Sequence, residues 1–196
     1  MRTLIVYESI YGSTHQVAEA VAAGLMSAGA QVNVIPVSSA RHESLSNYQL
    51  LAVGGPTHAH GISRRSTRQQ AVDTATRAGQ LAALEPGADG IGLREWLDGL
   101  GLCRGYAAAF DTRLPGPALI AGRASQGIAS RLKLHGFLVL SEPRSFLVDA
   151  DNKLLDGQAA QAQDWGVALV ADLAAAESTP QYLPRGDSPH RHQTDF

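Results

Sequence analysis

Short apolar runs and longer helical stripes alternate along this chain. Leu4-Ile5-Val6-Tyr7 is a run of β-formers with no charged residue, the pattern of a strand buried on both faces. Behind it, Val17, Val21 and Leu25 recur every four residues with Ala18 and Ala22 beside them, a helical stripe that closes at Gly29. Val32 to Val37 predicts a second strand, Leu50 to Val53 a third, and Tyr106 to Phe110, bracketed by Gly105 and Asp111, a fourth. Ile120, Ala124, Ile128 and Leu132 carry another stripe to a stop at Gly136, and Phe137 to Leu140 follow at once as a fifth strand. Ala162, Trp165, Leu169 and Leu173 mark a last helix, with Asp156 as its expected cap. Strands separated by helical crossovers pair in parallel, and right-handed crossovers place helices on both faces. The expectation is an α/β three-layer α/β/α sandwich around a five-stranded parallel sheet.

Two stretches are less regular. Residues 62 to 103 are long for one crossover; Gln69 to Leu81 reads as a weak helix, and Leu93, Trp96, Leu97 and Leu100 as another after a Pro86-Gly87 break. Ser145 to Val148, followed by Asp149 to Lys153, reads as a strand extension with a turn. Past Glu177 the periodicity ends and prolines accumulate, so the chain is expected to form one domain over 1–177 and a disordered tail over 178–196.

Composition narrows the function. The 196 residues carry 16 basic and 18 acidic side chains, a balance that argues against a dedicated nucleic-acid binder. No apolar run approaches the roughly 18 to 20 residues of a bilayer span, and no leader-like segment precedes the first strand, so a cytoplasmic location is expected. Cys103 is the only cysteine, which leaves no internal disulfide, no CxxC pair and no Cys-based zinc site; it is expected to act as a small, buried or half-buried hydrophobe. Trp96 and Trp165 sit at helical spacing with leucines and are expected in the core.

The chemistry concentrates behind the first strand. Ser9-Ile10-Tyr11-Gly12-Ser13-Thr14 offers hydroxyls and one glycine where a helix begins, the parts of a phosphate cradle built from neutral donors. No G-x-x-x-x-G-K-[ST] and no G-x-G-x-x-G occurs here. A phospho-receiver would need an acidic pair after strand one; only Glu8 is present, and strand three ends in Gly54-Gly55-Pro56-Thr57. The same residues could simply turn the chain, with Ser13 or Thr14 capping the helix. Ile5 to Val21, read as IVYESIYGSTHQVAEAV, resembles the flavodoxin signature throughout its spacing. The resemblance implies a flavodoxin-like fold over residues 1 to 177 and FMN as cofactor. Its phosphate would meet the hydroxyls of Ser9, Ser13 and Thr14 and the backbone N–H groups of Ile10, Tyr11, Gly12, Ser13 and Thr14.

By the same resemblance, Pro56, Thr57, His58, Ala59, His60 and Gly61 border the isoalloxazine, with His58 where a tryptophan is common. Phe110, Asp111, Thr112 and Arg113 border its pyrimidine edge, although Asp111 could equally cap a helix. The third loop lacks the tyrosine that usually covers the ring. The His58/His60 pair offers too few ligands for a metal, and none is expected. Arg64, Arg65 and Arg113 are expected near the ring or an approaching anionic substrate. The function expected is an FMN carrier transferring electrons to a redox partner protein; the alternatives are an FMN-dependent NAD(P)H:quinone oxidoreductase acting on a small quinone-like acceptor, and a flavodoxin-shaped binding module without cofactor.

Overall fold

The computed structural model describes residues 1–58, 61–77, 84–117 and 122–178. In chain order these form β1 (Arg2–Tyr7), α1 (Ser13–Ser27), β2 (Gln31–Pro36), β3 (Leu50–His58), β4 (Gly61–Ile62), α2 (Arg65–Arg77), α3 (Leu93–Asp98), β5 (Tyr106–Arg113), α4 (Ala124–Leu134), β6 (Leu138–Val139), β7 (Arg144–Leu147) and α5 (Gln158–Ser178). The sheet runs β2-β1-β3-β5-β6, with β4 antiparallel to β3 and β7 parallel to β5.

Alternation along the strands feeds two cores. Leu4 and Val6 point to the layer holding Leu93, Trp96 and Leu97 of α3 and Ile128 and Leu132 of α4. Ile5 and Tyr7 point the other way, against Val17, Val21 and Leu25 of α1 and Trp165 and Leu169 of α5. Both tryptophans are buried, as their spacing predicts, and Cys103 is half-buried.

Several boundaries differ from the sequence reading. β3 continues to His58 because Gly54, Gly55 and Pro56 pair with Phe110, Asp111 and Thr112 of β5, so the predicted loop is the tip of a strand that β4 folds back upon. The fifth strand is split: β6 pairs with Tyr106 and Ala107, and β7 resumes the pairing at Phe110 to Arg113, after a break that contains Pro143, which has no N–H to give the ladder. β4 and the split fifth strand thus make seven strands on a five-strand plan. α2 begins at Arg65, four residues before the predicted Gln69; 78–81 of the predicted helix lie outside the described residues, as do Ile120 and the tail from 179 on. The residue ahead of α5 is Gly157 rather than Asp156.

α1 and α5 pack backbone to backbone. A Cβ at Gly24 would lie 1.9 Å from the carbonyl oxygen of Gln163, and one at Gly166 would lie 2.3 Å from that of Val21. Gly24→Ala should therefore destabilise the protein by about 1–3 kcal/mol, although alanine is the better helix former by about 1 kcal/mol. Urea denaturation measures this; a variant more stable than wild type would contradict the close approach.

Candidate functional site

β1 delivers the chain to the carboxyl edge of the sheet, and residues 8–12 carry it into α1. Gly12 makes that turn in the left-handed region, at φ 92°, where a side chain would be strained, and it is the N-cap in place of the expected Ser13 or Thr14. Its N–H donates to Ser9 Oγ at 3.0 Å, and its carbonyl accepts the first helical bond from Gln16. The N–H groups of Ile10, Tyr11, Ser13, Thr14 and His15 find no acceptor among the described residues. Around them, Thr14 Oγ1 and Thr112 Oγ1 share a bond of 2.8 Å, and Ser13 Oγ donates to the carbonyl of Asn152.

These groups line a cavity of about 200 Å³ that continues past Pro56, Thr57 and His58 to Thr112, Arg113 and Leu114, with Val148 and Asn152 on its remaining wall. Two polar nitrogens are buried here without a partner among the described residues, Nε2 of His58 and Nε of Arg113. Arg113 spends one terminal nitrogen on the carbonyls of Leu114 and Gly116, at 3.1 and 3.0 Å. Burial, and next the charge of Arg68, lower the His58 pKa and favour its neutral form.

Ten of the sixteen residues assigned to the cofactor from the sequence line this cavity: Ser9, Ile10, Tyr11, Ser13, Thr14, Pro56, Thr57, His58, Thr112 and Arg113. Gly12 shapes the loop behind them. Gly61 begins β4, and Ala59 and His60 lie outside the described residues. Phe110 and Asp111 are wholly buried and do not line the cavity. Phe110 turns into the core against Trp165 and Phe146, with ring centroids 6.0 and 6.4 Å away. Asp111 Oδ2 accepts the Ser125 N–H at 2.7 Å at the start of α4, which is the capping role left open by the sequence. Val148 and Asn152 were not foreseen. Only Asn152 left a trace, as the asparagine of a predicted turn, and it is the one described non-glycine residue at positive φ, 61°.

Behind the cradle sits a polar network in which Glu8, Ser63 and Arg68 are buried and Glu95 is exposed. Glu8 accepts the Leu93 N–H at 2.7 Å and the Ser63 hydroxyl; Arg68 donates to Ser63 Oγ at 3.2 Å and to Glu95 at 3.0 Å. Burial pushes the Glu95 carboxyl up, but its bonds to Arg68 and to backbone N–H groups outweigh that and hold it below the usual value. On the outer side of the loop, His15 stacks on Tyr7 at 4.6 Å and contacts Glu85 at 3.0 Å. Among the described residues no group of three or more His, Cys, Asp or Glu is placed to hold a metal, and no helix is long and apolar enough to cross a membrane.

The family model described as Flavodoxin matches residues 5–96, the stretch that holds the cradle, β3 and the polar network. Over that stretch, a little under half of its length, the chain is similar to the flavodoxin family. No curated protein matches its sequence. Among solved structures it is similar to a flavodoxin from the domain Archaea, at 18% identity and TM-score 0.56, covering 89% of this chain and 99% of that one. It is likewise similar to Flavodoxin 1 from Bacillus cereus, at 15% identity and TM-score 0.58, covering 89% and 98%. Rubredoxin oxygen:oxidoreductase from Desulfovibrio gigas matches at 19% identity and TM-score 0.57, over 91% of this chain but 37% of that longer one. At such identities the likeness is one of fold. The cofactor that goes with this flavodoxin fold and family is FMN.

The buried, neutral imidazole of His58 makes a pH prediction. Its folded pKa is lowered, so below about pH 6.5 the unfolded chain binds the proton that the folded one resists. His58 should cost stability progressively as pH falls from about 6.5 through its folded pKa, and nothing above that window. Urea unfolding at pH 8 and pH 5.5 should show a smaller acid loss for His58→Gln than for wild type. Equal losses would contradict the neutral assignment.

Proposed function

We propose that this protein carries electrons through FMN held by the cradle behind β1. The observation that supports this is the set of N–H groups at residues 10, 11 and 13–15 that have no acceptor among the described residues, beside the hydroxyls of Ser9 and Thr14. Converging amides at a helix start stabilise a phosphate without a paired cation. The residues present fit FMN. Ser9 Oγ accepts from Gly12, which leaves its own proton to point at a phosphate oxygen, and the Thr14–Thr112 pair can turn either hydroxyl outward. Nε2 of His58 and Nε of Arg113 are unspent toward the same cavity. Bound FMN supplies reversible one- and two-electron chemistry. The chain's part is to grip the phosphate, bury the polar edge and leave a rim for exchange. The enclosed 200 Å³ is below the roughly 300–1,000 Å³ of ordinary cofactor pockets, which suits the phosphate end rather than a whole FMN.

A second reading, a reductase acting on quinone-like acceptors, draws on the third loop. It has no aromatic residue after Phe110, and the half-exposed Leu114 stands at the cavity instead. Consumption of NAD(P)H with a quinone and no partner protein would favour it over the carrier.

Ser9→Asp tests the proposal. A carboxylate would sit among the same amides and face the phosphate, and a charge pair at about 5–6 Å with an effective dielectric near 20 costs about 3 kcal/mol. FMN affinity, read by quenching of flavin fluorescence, should fall by about a hundredfold or more while circular dichroism stays native. Unchanged affinity in a folded variant would overturn the assignment.

A further inference from the structure

The near-zero net charge conceals a separation between the two helical layers. The segments 61–77, 85–98 and 123–134, which supply β4, α2, α3 and α4, hold eight arginines and lysines against five acids. Segment 144–178, which supplies β7 and α5 at the opposite layer, holds two against six. The cationic side is also the side that carries the hairpin tip of the cavity.

Around that tip the arginines converge. Arg64 and Arg65 are exposed and follow β4 directly. Arg94 reaches back from α3 to the hairpin, donating from Nη2 to the Ile62 carbonyl at 2.9 Å and from Nε to that of Ser63 at 3.3 Å. Arg131 of α4 is close enough that, after burial, its charge is the next largest influence lowering the Arg94 pKa, followed by that of Arg64. Among the described residues only Arg131 of these has an acidic partner, Asp98 at 3.0 Å. Thr57 and His58, which line the cavity, are the residues that β4 pairs with.

Resting on the electron-carrier reading above, we propose that the β4–α2–α3 face beside the cavity is a docking surface for an acidic redox protein. The arginines sit on a hairpin, a helix start and a second helix rather than around one pocket. The nearby cleft that does include Arg65 and Arg68 is lined equally by Asp89 and Glu95, which disfavours a small anion there. A spread of cations on an outer face matches a negatively charged protein surface, and the opposing charge of α5 turns the molecule so that this side arrives first.

The test uses the full chain and Arg64→Glu/Arg65→Glu, which places acids at the start of α2 where the helix tolerates them. The first readout needs no cofactor: two-dimensional NMR during titration with poly-L-glutamate. Shifts should concentrate at Arg64, Arg65, Arg94 and Arg131 and spare α5, and the variant should bind at least tenfold more weakly. The second uses FMN-loaded, photoreduced protein. Oxidation by ferricyanide should slow about fivefold between low and 0.3 M salt, oxidation by hexaammineruthenium(III) should quicken, and the variant should reverse both trends. Shifts on other surfaces, salt slopes that follow the net negative charge, or NADP⁺ saturating these residues more tightly than poly-glutamate would each overturn the proposal. Failure to bind FMN would instead strike the carrier reading and leave the NMR result to stand alone.

Discussion

The physical constraint behind this structure is the start of a helix whose first amides have no partners among the described residues. A helix leaves its first N–H groups unbonded, and here Gly12 bends the chain so that those of residues 10 and 11 join them. In the protein's interior such groups cost free energy until an acceptor arrives. An anion of several oxygens satisfies many at once, and neutral hydroxyls on Ser9 and Thr14 add donors without a fixed cation. A grip of this kind selects a phosphate by geometry and dipoles, while the redox group at the other end keeps its own electrostatic surroundings.

The rest of the fold holds that loop in place. β1 is an interior strand paired on both sides, with β2 and β3, so Glu8 and Ser9 emerge at a fixed point. α1 is held by backbone contact with α5, which only glycines at 24 and 166 permit. On the other side, buried Glu8, Ser63 and Arg68, with Glu95 at the surface, tie β1, the segment after β4, α2 and α3 into one network next to the cavity. Buried ionic groups of this sort add little net stability, but breaking one leaves its partner charged and unpaired, which makes the arrangement specific.

Much of this was legible in the sequence, and the failures have a common cause. β1, β2 and α1 could be read closely because their apolar patterns are local and strong. β3 was cut short because Gly54, Gly55 and Pro56 look like turn residues on their own; pairing with β5, more than fifty positions away, keeps them extended. α2 was read late because it is polar almost throughout, with Arg68 and Ala75 its only buried residues. The residues of the loop behind β1 that line the cavity could be singled out because flavodoxin-like spacing marks that loop. Phe110 and Asp111 were drawn into the site by their neighbours Thr112 and Arg113, and strand alternation sends them elsewhere. Nothing in the sequence links Glu8 to Ser63 and Arg68, or Ser13 to Asn152; only the folded chain brings them together.

The most direct test of the account compares FMN with riboflavin, which differ by the phosphate alone. Titrating the flavin-free protein with each, by flavin fluorescence or calorimetry, isolates what the cradle contributes. Binding that depends on unpaired amides predicts FMN held at least a hundredfold more tightly than riboflavin, with an advantage that salt reduces only modestly because the site is buried. Equal affinities for the two, or no affinity for either, would contradict it.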